Sequence, residues 1–184
     1  MDPDASSTLL IIAASLVASG FFSGMEMAFV SANRLKVEMD STKSLSGKLV
    51  ASFFDRPQLF IACMLVGNNL ALVLCGIESG ALISQAIFDA ADWNSATSPI
   101  TALLVQTVAT TIVVLITAEF IPKSLFHVAP NLWLNRLSFV LALIIAILAI
   151  PAMIIVGLSK VLLFPFFKSN NSSGSTEFGA TDLN

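Results

Sequence analysis

Charge is what this sequence has least of. Lys, Arg, Asp and Glu make up 11% of the 184 residues, where an average soluble domain carries about 25%. Histidine occurs once, tyrosine is absent, and cysteine occurs twice. Each scarcity removes a class of protein. So few charges exclude a disordered chain, a coiled coil and an ordinary soluble enzyme. A net charge of −3 without a basic patch excludes a nucleic-acid binder. One histidine, His127, cannot assemble a Ser/His/Asp set or a His/Cys zinc site, and there is no phosphate-binding glycine loop, so no enzymatic activity is expected. Cys63 and Cys75 lie in one apolar run. On a helix they would be ~18 Å apart in rise, beyond disulfide reach, so they read as small packing hydrophobes.

What the chain has instead is long apolar runs. Hydrophobic residues make up 56% of it and mean hydropathy is +0.88. Four runs stand out, at residues 8–30, 58–88, 100–121 and 137–167. About 20 apolar residues cross a ~30 Å hydrocarbon core. The runs do not alternate, so the expected fold is an all-α membrane protein embedded in a lipid bilayer. The first run has no basic residues ahead of it and exceeds a signal-peptide core, so it reads as a retained span.

Connecting charges set the expected topology. Residues 31–57 carry Arg34, Lys36, Lys43, Lys48 and Arg56, and residues 122–136 carry Lys123 and Arg136. Residues 89–99 carry Asp89 and Asp92 with no basic residue, and the N-terminal tail is acidic. The N-terminus is therefore expected outside, with 31–57 inside, 89–99 outside and 122–136 inside. The fourth run holds Pro151 and Lys160 and is followed by Lys168. It either crosses or lies against the inner leaflet. Residues 31–57 mix charges of both signs with Leu35, Val37, Leu45, Leu49 and Val50. That pattern predicts one or two short amphipathic cytoplasmic helices, broken near 44–47, with Pro57 opening the second span. Residues 169–184 read as a flexible polar tail. Asn170 and Asn171 begin formal N-x-S/T patterns there, idle if the tail is inside.

Polar residues inside apolar spans are costly and mark function by default. Three clusters qualify. Ser23 and Glu26 share one face of the first span, beside the small pair Gly20 and Gly24. Gly67, Asn68 and Asn69 place two amides in the second span. Ala118 and Glu119 precede Pro122, whose missing N–H would free the Ala118 carbonyl beside a carboxylate. Each has a structural alternative: a serine bonded to its own helix, amides that glue helices, and a glutamate paired with Lys123 at a proline-ended helix. At 1.5 Å per residue, Ser23 lies ~8 Å and Asn69 ~16 Å from the inner boundary, with Glu119 near it. All the candidate ligand atoms are oxygens, which suit Mg²⁺, Ca²⁺ or Na⁺ rather than zinc or copper.

Taken in order, residues 22–28 (Phe-Ser-Gly-Met-Glu-Met-Ala), Gly67-Asn68 and residues 119–124 (Glu-Phe-Ile-Pro-Lys-Ser) resemble the transmembrane domain of the CNNM/CorC (cyclin M-like) family. The resemblance covers residues 8–165 and places residues 1–168 in one membrane domain. It implies three transmembrane helices, a Pro-containing juxtamembrane helix at 137–167 and a cytoplasmic C-terminus. It also implies a homodimer in the plasma (inner) membrane. The implied activity is Mg²⁺ efflux coupled to Na⁺ entry, through an inward-facing, dehydrated Mg²⁺ site. Ser23, Asn68 and Glu119 match the family's polar positions, and the Ala118 carbonyl its backbone ligand; Asn69 and the Gly67 carbonyl are additional candidates. Leu72 stands where many members have a second polar residue. No nucleotide-binding CBS module is expected in residues 1–184. The competing expectation is a non-transporting scaffold whose polar residues only join helices.

Overall fold

The computed structural model describes residues 3–90 and 99–170, and these are almost entirely helical. The helices are α1 (Pro3–Ser31), α2 (Arg34–Ser41), α3 (Leu45–Asp55), α4 (Pro57–Ala90), α5 (Pro99–Val114), α6 (Ile121–Val128) and α7 (Pro130–Asn170). A π-helical turn, Leu115–Phe120, joins α5 to α6 without a break. The connection at 91–98 and most of the polar tail, 171–184, lie outside the described residues. Four stretches are long and apolar enough to cross a bilayer: Ser6–Ser31, Pro57–Gly80, Thr107–Val128 and Pro130–Ser159.

Pairwise contacts fix the directions. Ser19 meets Asn68, Phe22 lies on Gly67 and Phe29 stacks on Phe60, so α1 and α4 are antiparallel. Gly20 meets Pro122 and Gly24 meets Phe126, so α1 runs parallel to the π turn and α6. Helix α1 is thus the central element. The packed core lies at the end of the bundle where α1 finishes and α4 starts. Met25, Ala28, Phe29, Phe60, Cys63 and Met64 are buried there with Val37 and Val50 of the α2–α3 hairpin and with Leu134 and Leu141 of α7. Phe29 stacks between Phe54 and Phe60, with ring centroids 4.3 and 4.2 Å away. Both cysteines are buried and unbridged.

The basic connection 31–57 is a tight helical hairpin. Asn33 caps α2 by accepting from Lys36 N–H, and Ser44 caps α3 by accepting from Gly47 N–H. The break falls at residues 42–44, at the front edge of the 44–47 expectation. Any Cβ on Gly47 would collide with the Asp40 carbonyl, so the glycine sets how closely the two helices approach. Because the obstacle is backbone, relief requires parting the hairpin. Gly47→Val is expected to destabilise it by ~1–3 kcal/mol. Faster amide hydrogen exchange across residues 34–55, with exchange in α4 unchanged, would show it.

Two sequence expectations change. The third span does not end at Pro122, and residues 122–136 are not a loop: the helix continues to Val128 and α7 begins at Pro130. The π turn is the reason. Ile121 N–H donates to the Ile116 carbonyl, five residues back, and this wider register lets the chain pass a proline that an α-helical turn would reject. Helix α7 is also longer than the expected 137–167, and it runs uninterrupted past Pro151.

The start of α7 is fastened to the hairpin. The Asn131 side chain accepts from Asn33 N–H at 3.1 Å and donates to the Asn33 carbonyl at 3.2 Å. Asn135 donates to Asp40 at 3.1 Å. Further along, Ile145 and Val156 both border the Asp55–Leu59 corner, where α3 passes into α4.

Candidate functional site

The site is built on one face of α1. Ser15, Ser19 and Ser23 recur every fourth residue and are all buried. Ser15 donates to carbonyls of its own helix, at Ile11 and Ile12. Ser19 donates to the Asn68 side-chain oxygen across the α1–α4 contact at 2.6 Å. The Ser23 hydroxyl is completely buried and has no hydrogen-bond partner. The back-bonded alternative for Ser23 is therefore not what the structure contains. A buried hydroxyl left without a partner costs about 1–3 kcal/mol, so a position that keeps one calls for an explanation.

Around this face the small residues do structural work. Gly67 is buried because the Phe22 ring occupies the space a side chain would need. The Pro122 ring would lie 2.9 Å from a Cβ on Gly20, and the Ala118 carbonyl oxygen 3.9 Å from it. Ala118 is itself fully buried, and the π turn packs against α1. The Ala118 carbonyl is thus presented to α1 one turn from Ser23 (residues 20 and 23 are three apart).

The other candidates sit further out. Glu119 is half-buried in a surface groove lined by Leu115, Ile116, Phe120 and Lys123, all from its own turn and α6. It shares that groove with Lys123 without forming an ion pair. Asn69 is exposed, turned away from the Ser19–Asn68 contact. Leu72 and Glu26 are half-buried. His127 pairs with Ser31 at 2.9 Å, joining the ends of α1 and α6. Of the threonines of the third span, Thr111 and Thr117 bond back to carbonyls of their own segment, which is the plain helical role.

The structure therefore joins Ser19 to Asn68, sets the Phe22 ring on Gly67 and the Ala118 carbonyl against Gly20, and leaves the buried Ser23 hydroxyl bonded to none of them. Ser19 escaped the sequence reading because a lone serine in an apolar helix carries little signal. The signal available was its spacing, midway between Ser15 and Ser23. Among the described residues no three His, Cys, Asp or Glu side chains cluster. A cation held here would meet mainly neutral oxygens.

Fold and site define a class: a polytopic, all-helical membrane domain with buried polar groups between its helices. The chain belongs to the CNNM family, since the family model for the cyclin M transmembrane N-terminal domain matches residues 10–178. It is also 28% identical over 125 residues to the UPF0053 inner membrane protein YfjD of Escherichia coli (strain K12). That alignment covers 67% of this chain and 27% of the relative, so the chain spans about a quarter of the length of the curated protein it matches.

Proposed function

We propose that this domain carries Mg²⁺ across the membrane, as efflux coupled to Na⁺ entry, through a site where the ion sheds most of its water. The observation that supports this reading is the Ser23 hydroxyl, buried without a partner on the helix whose Ser19 bonds Asn68 and whose Gly20 faces the Ala118 carbonyl. Mg²⁺ is a hard ion that needs oxygen ligands in near-octahedral geometry at ~2.0–2.1 Å. Ser23, Asn68 and the Ala118 carbonyl would supply neutral dipoles and Glu119 the charge, with the Gly67 carbonyl in reserve; the exposed Asn69 is left out of the set. No covalent chemistry is assigned to this arrangement: the protein is a carrier and not an enzyme, and Mg²⁺ is its cargo.

The topology that goes with this reading has the N-terminus outside and the α2–α3 hairpin and C-terminus in the cytoplasm, with two copies forming a homodimer in the inner membrane. Helix α7 serves as a juxtamembrane helix. Its Asn131, Asn135, Ile145 and Val156 meet Asn33, Asp40 and the Asp55–Leu59 corner in turn. Those partners all lie near the end of α1 or the start of α4. From Asn131 to Val156 the helix travels ~38 Å at 1.5 Å per residue. A helix crossing the bilayer would leave that level within one or two turns.

The scaffold reading also has an observation behind it, because the Ser19–Asn68 bond does join two helices. Ser23→Ala separates the two. Removing a hydroxyl that makes no bond should leave the melting temperature of the ion-free protein unchanged or raised. If Ser23 holds the ion, the Mg²⁺ concentration needed to stabilise the purified protein should rise at least ~10-fold, about 1.4 kcal/mol of lost binding. A lowered melting temperature with an unchanged Mg²⁺ response would overturn the assignment. A wild-type protein that Mg²⁺ does not stabilise at all would favour the scaffold.

A further inference from the structure

Where α3 passes into α4 the surface is hollowed by two adjoining grooves. One is lined by Ser52, Phe53, Asp55, Arg56, Leu59, Phe60 and Ile145. The other is lined by Asp55, Arg56, Pro57, Gln58, Leu59 and Val156. They share Asp55, Arg56 and Leu59, so they form one continuous recess between α3, α4 and α7. Its make-up is mixed: Asp55 and Arg56 stand where the two grooves join, Phe60 and Ile145 line one arm with Ser52, and Val156 lines the other with Gln58.

The apolar segment that follows the recess indicates its depth. Pro57 opens a segment, Pro57–Gly80, long and apolar enough to cross the bilayer. Arg56 and Asp55 are thereby placed at headgroup level, with Leu59 and Phe60 in the first turn of the span and Ile145 and Val156 of α7 alongside. Both side chains are exposed, and they make no ion pair with each other or with any other described residue. A positive and a negative group side by side match a headgroup carrying both signs. An arginine fork binds a phosphate with two parallel hydrogen bonds. A carboxylate accepts from a primary ammonium, which a fully methylated ammonium cannot offer.

We propose that this recess is a seat for one phospholipid of the phosphatidylethanolamine type. The phosphate sits on Arg56, the ammonium on Asp55, and an acyl chain lies along Leu59, Phe60, Ile145 and Val156. The bound lipid fills the gap between α4 and α7 and holds α7 against the span.

Native mass spectrometry of the full chain in detergent tests this, with phosphatidylethanolamine, phosphatidylcholine and phosphatidylglycerol of matched acyl chains. The wild type should retain phosphatidylethanolamine at least ~5-fold better than phosphatidylcholine, about 1 kcal/mol. Arg56→Gln should lose that retention. Asp55→Asn should keep binding but lose the preference over phosphatidylcholine. Ile145→Trp, which crowds the apolar wall and leaves both charges in place, should weaken all three lipids alike; helical content by circular dichroism confirms that each variant is folded. Equal retention of the three lipids by the wild type would overturn the proposal, as would a preference for phosphatidylglycerol or an Arg56→Gln variant that still discriminates. A recess covered by a second copy of the chain would give that same flat response. The Mg²⁺ site plays no part in this test.

Discussion

Replacing Glu119 with alanine is expected to abolish Mg²⁺ transport while leaving the fold intact. The two halves of this expectation rest on different observations. Glu119 is half-buried in a groove formed by its own turn, and it carries no ion pair to Lys123. Truncating a side chain without buried partners usually changes stability by no more than ~0.5 kcal/mol. The functional effect is far larger. The other proposed ligands are neutral, so Glu119 supplies the one formal negative charge, and a hydrogen bond or contact to a charged group is worth up to ~3 kcal/mol. Losing that much weakens the ion's hold about 100-fold. The measurement is Mg²⁺ flux into or out of proteoliposomes containing the purified chain, with Glu119→Asp as the charge-retaining control. Wild-type flux from Glu119→Ala would remove Glu119 from the site. A lowered melting temperature in Glu119→Gln, with no Mg²⁺ dependence in any variant, would support the scaffold instead.

Much of the fold was legible because each feature leaves a linear trace. Apolar run length marked the helices, and the alternating charges and small residues of 31–57 marked the hairpin and its break. Pro57 opens α4 as a proline at the first helical position should. The π turn left no such trace. A proline after an apolar run reads as a stop, and only the packing of α1 against both sides of it, through Gly20 and Gly24, makes continuation worthwhile. The same distinction separates the site residues. Ser23 and Asn68 were visible as polar atoms in hydrocarbon. Asn69 was visible for the same reason, although its side chain is exposed. Sequence gives a helix position but not its azimuth, and adjacent residues on a helix point ~100° apart. Two neighbouring amides therefore cannot face one site together. Ser19 needed the partner helix, because its hydrogen bond to Asn68 spans 49 residues of chain.

Gly24→Ala is expected to loosen the α1–α6 contact and to be repaired by shrinking Phe126. A Cβ at position 24 would lie 2.6 Å from Phe126 Cδ2, 2.8 Å from Cγ and 2.9 Å from Cε2. These distances are well inside van der Waals contact, and Cγ sits at the root of the ring. The ring cannot swing aside at low cost, because its other face stacks on Trp133 with centroids 4.7 Å apart. Overpacking of this kind costs ~1–3 kcal/mol. The strain is relieved by moving α6 away from α1, which also withdraws Pro122 from Gly20 and carries the Ala118 carbonyl with it. Transport should therefore fall together with the melting temperature, although position 24 offers no ligand atom. The Gly24→Ala/Phe126→Leu pair is the decisive variant. Phe126→Leu alone loses the stack on Trp133, but in the Gly24→Ala background it removes the obstacle. The double variant should be more stable than the sum of the single effects by at least ~0.5 kcal/mol, the range in which touching residues couple. Strictly additive melting temperatures would mean that α6 already stands far enough from α1 to admit a methyl group. The close approach at Gly24 would then not be what holds the Ala118 carbonyl against α1 at Gly20.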